Sequence, residues 1–216
     1  AEAFRVMIDI AHAHGIRVIA GLWDHIYRGS VQNGGMPNAP APGEEQPGIV
    51  VGVTGENVAE YNREAIGRFL EVFPEIDGLQ LRMHNESGLA PAEMGSFWHG
   101  VFQIIKKERP GLKLDLRAKE LPDSIIDDAI DMGLDVRITT KFWMEQIGLP
   151  FHPTHVNVQN QHDRRHSYAD LLRNPQRFDI HWRLWNSVTS GGLLWADPDW
   201  VRRFVVSTRL HRGRFE

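Results

Sequence analysis

The sequence predicts an α/β fold, a partial (β/α)8 (TIM) barrel of about six β/α units without its first two strands. Two observations carry this prediction. Segments with helical periodicity alternate with short β-branched runs along most of the 216 residues, the pattern of parallel strands joined by helical crossovers. The strands alternate apolar with charged residues, whereas a strand buried between two helical layers is almost wholly apolar. A barrel satisfies both, because one strand face meets the helices and the other meets an interior that turns polar towards an active site. A wet antiparallel sheet is disfavoured, since helices between strands imply parallel crossovers.

Residues 3–14 set Phe4, Met7, Ile8 and Ala11 on one helical face, and Gly15 stands where that helix should end. Residues 16–23, "IRVIAGLW", are short and β-branched and read as a strand. Residues 24–56 contain "GGMPNAPAPGEEQPG", too rich in Gly and Pro for regular structure, and read as one long βα loop of the functional or mobile kind. Asn57 is the expected N-cap, with Glu60 three residues on, of a helix repeating Val58, Ala65, Ile66, Phe69, Leu70 and Phe73. "LQLRMH" (79–84) is the next strand. A helix over 92–108 carries Met94, Phe97, Trp98, Val101, Phe102 and Ile105 on one side and stops at Pro110-Gly111, before the strand "LKLDLRA" (112–118). Asp123 is expected to cap a helix of Ile125, Ile126, Ala129 and Ile130, closed by Gly133 and followed by the strand "LDVRITT" (134–140). Ser167 can cap a helix through Leu171 and Leu172; "RFDIHWRL" (177–184) and "GGLLWAD" (191–197) complete the strands. Asp197-Pro198 opens a last helix with Val201, Phe204 and Val205, so Asp197 is read as an N-cap and not as a catalytic acid.

Charges directed into a barrel must pair, because an unpaired buried charge costs several kcal/mol. Asp115, Asp135 and Asp179 are the expected partners of Arg82, Arg117, Arg137 and Arg183.

Composition narrows the function. The 42% of hydrophobic residues suffices for a sizeable core, and the net charge of -4 gives no basic field for nucleic acid. No apolar run approaches a membrane span. Cysteine is absent, which removes disulfides, thiolate metal sites and cysteine nucleophiles. The chain opens on Ala1 inside an amphipathic segment with no leader ahead of it, so residues 1–216 are expected to be a single catalytic barrel domain cut from a longer chain. Nothing assigns a compartment or an oligomeric state; a polysaccharide hydrolase would work in the periplasm or outside the cell. Seven Trp and eleven His suit a sugar ligand, whose C–H faces stack on aromatic rings.

Barrel enzymes carry their reactive residues at the C-terminal strand ends, where Asp24, Glu86, Glu120, Glu145 and Asp197 fall. Several acids on one rim fit glycoside cleavage, in which one carboxyl protonates the leaving oxygen and another activates water or attacks the anomeric carbon. Glu86 leads: Arg82 and His84 share its strand parity, and Asn85 is placed to hydrogen-bond a sugar hydroxyl. Glu145 lies in "TKFWMEQIGLPFHP", a polar-aromatic run without helical period, with Lys141, Trp143 and His152 nearby. Glu120 differs in parity from Asp115 and Arg117. Asp24, Arg82, His84, Asn85, Lys141, Trp143, His152, Arg183 and Trp185 are the expected sugar-binding residues.

No metal or other cofactor is expected. His162 and His166 have the spacing of a helical metal pair, but no Glu sits between them as in a zinc protease, and residues 152–172 read instead as a polar loop over a ligand site, with Arg164 or Arg165 available to a carboxylate. Nucleophile elbows, phosphate-binding glycine loops and dinucleotide fingerprints are absent.

With two strands missing, residues 78–84 form the fourth strand, and "HNESG" (84–88) follows it. An Asn-Glu pair closing the fourth strand resembles the acid/base signature of the large (β/α)8 glycosidase clan. The stretch is also similar to the Asn-Ser-Glu-Gly of xylan-debranching α-glucuronidases, with Ser and Glu exchanged. The resemblance implies an inverting glycosidase with Glu86 as general acid and Glu145, together with Glu120, as base. The seventh strand, "DIHWRLWN", has no terminal Glu to match a retaining nucleophile. The expected substrate is a plant or algal polysaccharide fragment containing uronic acid. The rival classes are a non-catalytic carbohydrate-binding barrel and a metal-dependent isomerase or lyase using the histidine loop.

Overall fold

A computed structural model describes residues 1–23, 56–83, 91–117, 121–139, 177–182 and 213–215, with Pro198, Asp199, Arg202 and Val206. The elements in order are α1 (Glu2–Ala13), β1 (Ile19–Trp23), α2 (Val58–Val72), β2 (Gly78–Arg82), α3 (Pro91–Glu108), β3 (Lys113–Arg117), α4 (Asp123–Asp131), β4 (Asp135–Thr139), β5 (Asp179–Trp182) and β6 (Gly213–Phe215).

The strands form one sheet in the order β1-β2-β3-β4-β5-β6, every neighbouring pair parallel. A doubly wound sheet reverses its order at a switch point, and this one never does. Crossovers of a single hand then put the helices on one sheet face, as in a (β/α)8 barrel. Among the described residues no pairing joins β1 to β6, so the sheet is a barrel-type segment with two open edges.

Strand parity decides the core. Leu79, Leu81, Leu114, Leu116, Val136, Ile138 and Ile180 share one buried cluster with helix residues Ile66, Leu70, Phe97, Trp98, Val101, Phe102, Ile105, Ile126 and Ala129. Every apolar position expected on the long third helix, from Met94 to Ile105, is buried, and α3 packs on both α2 and α4. Burial of side chains this large is the main favourable contribution to the fold, at about 1.5–3 kcal/mol each. Gly15 (φ 72°) and Gly133 (φ 71°) end α1 and α4 in the left-handed region, donating to His12 O and Ile130 O.

Asp77 ties the first unit together. Its Oδ2 accepts the Val18 N–H at 2.7 Å and His12 Nε2 at 2.8 Å, joining the end of α1 to the start of β1. Burial pushes this carboxyl up, but the Val18 and His12 hydrogen bonds and the charges of His12 and Arg17 hold it below its ordinary value. Arg109, following α3, donates to Pro74 O and Ile76 O and so secures the turn that feeds β2.

Three expectations are corrected. Met7 does not share the buried face of α1: Ile8 is buried with Phe4 packed beside it, while Met7 is 50% exposed along with Val6 and Ile10. The cap of α4 is Pro122, with extended backbone (φ -65°, ψ 146°), and Asp123 is the first helical residue. Proline serves there because its carbonyl accepts from Ile125 and Ile126 and no donor is needed of it. Asp135 and Asp179 are exposed, so they are not the buried counter-ions expected of them. β5 pairs with β4 on one edge and with residues 213–215 on the other. "GGLLWAD" (191–197), expected as a strand, lies outside the described residues. The helix after it is seen at Pro198, Asp199, Arg202 and Val206; the helix expected from Ser167 lies outside the described residues.

Candidate functional site

The sheet face opposite the helices is polar. Backbone register places Gln80, Asp115 and Arg137 in one row and Arg117, Thr139 and His181 in the next, nearer the C-terminal strand ends. Arg82, the last residue of β2, shares the parity of Gln80 and is half-buried. Asp115, Arg117, Arg137, Thr139 and His181 are all buried.

Asp115 organises this face. It is 1% exposed, and three donors reach it. Arg137 Nε donates to Oδ2 at 2.9 Å, His181 Nδ1 meets Oδ2 at 2.8 Å, and the Thr139 hydroxyl donates to Oδ1. A carboxylate can only accept, so His181 carries its hydrogen on Nδ1. Thr139 Oγ1 lies 3.1 Å from the same Nδ1, a second acceptor for that hydrogen. Burial alone would raise the Asp115 carboxyl, but the bonds from His181 and Thr139 and the charges of Arg137 and His181 overcome it and hold the group below its ordinary value. Asp115 is therefore an anion at neutral pH despite its burial. Arg137 Nη2 is buried with no hydrogen-bond partner among the described residues.

Because all strands run parallel, their C-terminal ends lie along one edge of the sheet, and the chain leaves that edge into the segments that hold the expected site. Of those residues only Arg82 is described, and it lies on the polar face. Asp24, His84, Asn85, Glu86, Glu120, Lys141, Trp143, Glu145, His152, Arg183 and Trp185 lie outside the described residues, as do His162, Arg164, Arg165 and His166. Of the expected ion pairs, Asp115 with Arg137 is present. Sequence reasoning passed over Thr139 and His181, although parity marks them: His181 alternates in phase with Asp179 and Arg183, and Thr139 with Arg137. Among the described residues no group of three or more His, Asp or Glu is arranged to hold a metal ion.

A cavity of about 250 Å³ lies on the other side of the sheet, lined by Leu22, Ile66, Phe69, Leu81, Phe97 and Trp98. Apart from Asn62 its lining is apolar, drawn from both strands and helices, and it carries no acid or base.

The singly wound parallel sheet and its buried polar face define a barrel-type β/α fold, a class in which reactive residues gather at the C-terminal strand edge. No family model matches the chain, and no curated protein matches it. Among solved structures it is similar to a GH138 enzyme targeting pectin rhamnogalacturonan II, with a TM-score of 0.58 and 14% identity. The match covers 95% of this chain and 23% of that one, so the chain spans about a quarter of the length of the pectin-targeting enzyme. At this identity the likeness is one of fold alone. It lies with an enzyme other than the α-glucuronidases suggested by the "HNESG" stretch.

Proposed function

We propose that this chain is part of the catalytic barrel of a glycoside hydrolase that cleaves a uronic-acid-containing plant or algal polysaccharide by carboxylate acid/base catalysis. The observation that carries the reading is the sheet itself: singly wound, parallel and polar on one face, with a glycoside hydrolase structure among its likenesses. The uronic-acid part of the reading rests on the likeness of "HNESG" (84–88) to the α-glucuronidase stretch. Membership of a longer barrel is favoured by the exposed apolar side of α1, where Val6, Met7 and Ile10 adjoin no described partner layer, and by the open edge of β1.

Glu86 is the general acid, Glu145 with Glu120 the base, and Asp24, His84, Asn85, Lys141, Trp143, His152, Arg183 and Trp185 join Arg82 in holding the sugar. The reaction inverts the anomeric centre, as the α-glucuronidase-like stretch implies. Hydrolysis of a glycan panel by the full-length polypeptide and its Glu86→Gln variant tests this. A general acid contributes about 10²–10⁴-fold, and a loss of that size is expected; unchanged hydrolysis would remove Glu86 from the mechanism. Product NMR reads the stereochemistry, with inversion requiring carboxyls about 6.5–9.5 Å apart and retention about 5–5.5 Å.

A further inference from the structure

The helix side of the sheet holds more than a packed core. Leu22 and Leu81 lie opposite each other in register on β1 and β2, and α2 packs on α3 above them, leaving the cavity of about 250 Å³. Protein interiors are close-packed, and voids larger than a water molecule are few. An apolar cavity of about 150 Å³ is already enough to take up benzene. The deep walls are preformed: Leu81, Phe97 and Trp98 are buried, and the two rings stand edge to face at 5.0 Å. Ala65, an exposed residue of α2, lies at the opening to solvent.

One polar group interrupts this lining. Asn62, half-buried on α2, donates from Nδ2 to Val58 O at 2.8 Å, which fixes its amide. Its Oδ1 accepts no hydrogen bond among the described residues. Water is a poor occupant, because a buried water needs about two to four polar partners. The lining side chains offer Asn62 and little else, the Trp98 Nε1 being sealed from solvent. A hydrocarbon ring with a single hydroxyl matches such a wall. The ring meets the aromatic and aliphatic side chains, and the hydroxyl gives its hydrogen to Asn62.

We propose that this cavity is a binding site for a small aromatic alcohol, its ring between Phe69, Trp98 and the Leu22–Leu81 pair and its hydroxyl donating to Asn62 Oδ1. The site lies on the helix side of the sheet, away from the polar face, and is independent of the glycosidase reading.

Benzyl alcohol and toluene, which share a ring and differ in the hydroxyl, probe the site in titrations of the full-length polypeptide. Benzyl alcohol should bind saturably at one site and raise the melting temperature. Asn62→Leu should weaken benzyl alcohol about fivefold, the worth of one hydrogen bond, and leave toluene bound no less tightly. Ala65→Phe, at an exposed helix position, should keep the fold, close the opening and remove the binding of both. The proposal is overturned by an absence of saturable benzyl alcohol binding in the wild type, or by wild-type binding in a folded Ala65→Phe variant. Unchanged benzyl alcohol affinity in Asn62→Leu, or an equal loss of benzyl alcohol and toluene, overturns the contact to Asn62.

Discussion

Replacing Asp115 by alanine removes the one buried carboxylate of the described sheet, the shared acceptor of three donors. Arg137 is 8% exposed and His181 2% exposed, so neither can turn to water without moving a strand. Removing one partner of a buried ion pair costs about 3–5 kcal/mol, mostly because the surviving charge stays buried. Against a total stability of about 5–15 kcal/mol, that is a large share. With a urea slope of about 3 kcal/mol/M, the unfolding midpoint should fall by about 1–1.7 M. The effect also carries a pH signature. The folded Asp115 carboxyl sits below its ordinary value of 3.8, so folding favours its ionised form. Its contribution is complete above the unfolded value and is lost as pH falls through the folded one. The wild-type advantage over Asp115→Ala should therefore be level from neutrality down to about pH 5 and narrow in stronger acid. A midpoint shift under about 0.3 M urea, or a gap that widens on acidification, would refute the assignment of Asp115 as a buried, hydrogen-bonded anion.

The sheet and helices give further tests. A Cβ on Gly78 would lie 2.8 Å from the Lys113 carbonyl oxygen in the adjacent strand, so Gly78→Ala should cost about 1–3 kcal/mol in thermal or urea unfolding. A Cβ on Gly100 would instead meet Arg63 Cδ at 2.9 Å, the mobile part of a long side chain, and Gly100→Ala inside α3 should raise stability by up to about 1 kcal/mol. Equal effects at the two glycines would contradict the strand spacing described. Phe102 is fully buried, and Phe102→Ala should cost about 3–5 kcal/mol, lowering the melting temperature by about 6–20 °C.

Much of the fold was legible because both periods were clean. The α3 stripe from Met94 to Ile105 and the alternation in "LKLDLRA" each name one buried face, and both faces are buried as read. Where reading failed, something non-local intervened. On α1, periodicity could not tell that Met7 would stay exposed, because the packing of Phe4 against Phe69 and Phe73 sets that helix's rotation. At α4, a proline carbonyl served as well as the aspartate side chain, and local composition ranks the aspartate first. "GRF" at 213–215 is too short and too polar to announce a strand, yet the free edge of β5 orders it.

The sequence alone determined that these strands have one apolar and one charged face, because side-chain direction alternates with a period of two along any strand. It determined from this that helices cover one side and that Asp115 must find a cation on the other. Which cation, and that a threonine and a histidine would join it, only the tertiary structure decided. Those contacts link β3, β4 and β5, and they depend on register and neighbour order between segments far apart in the chain, which no local pattern encodes.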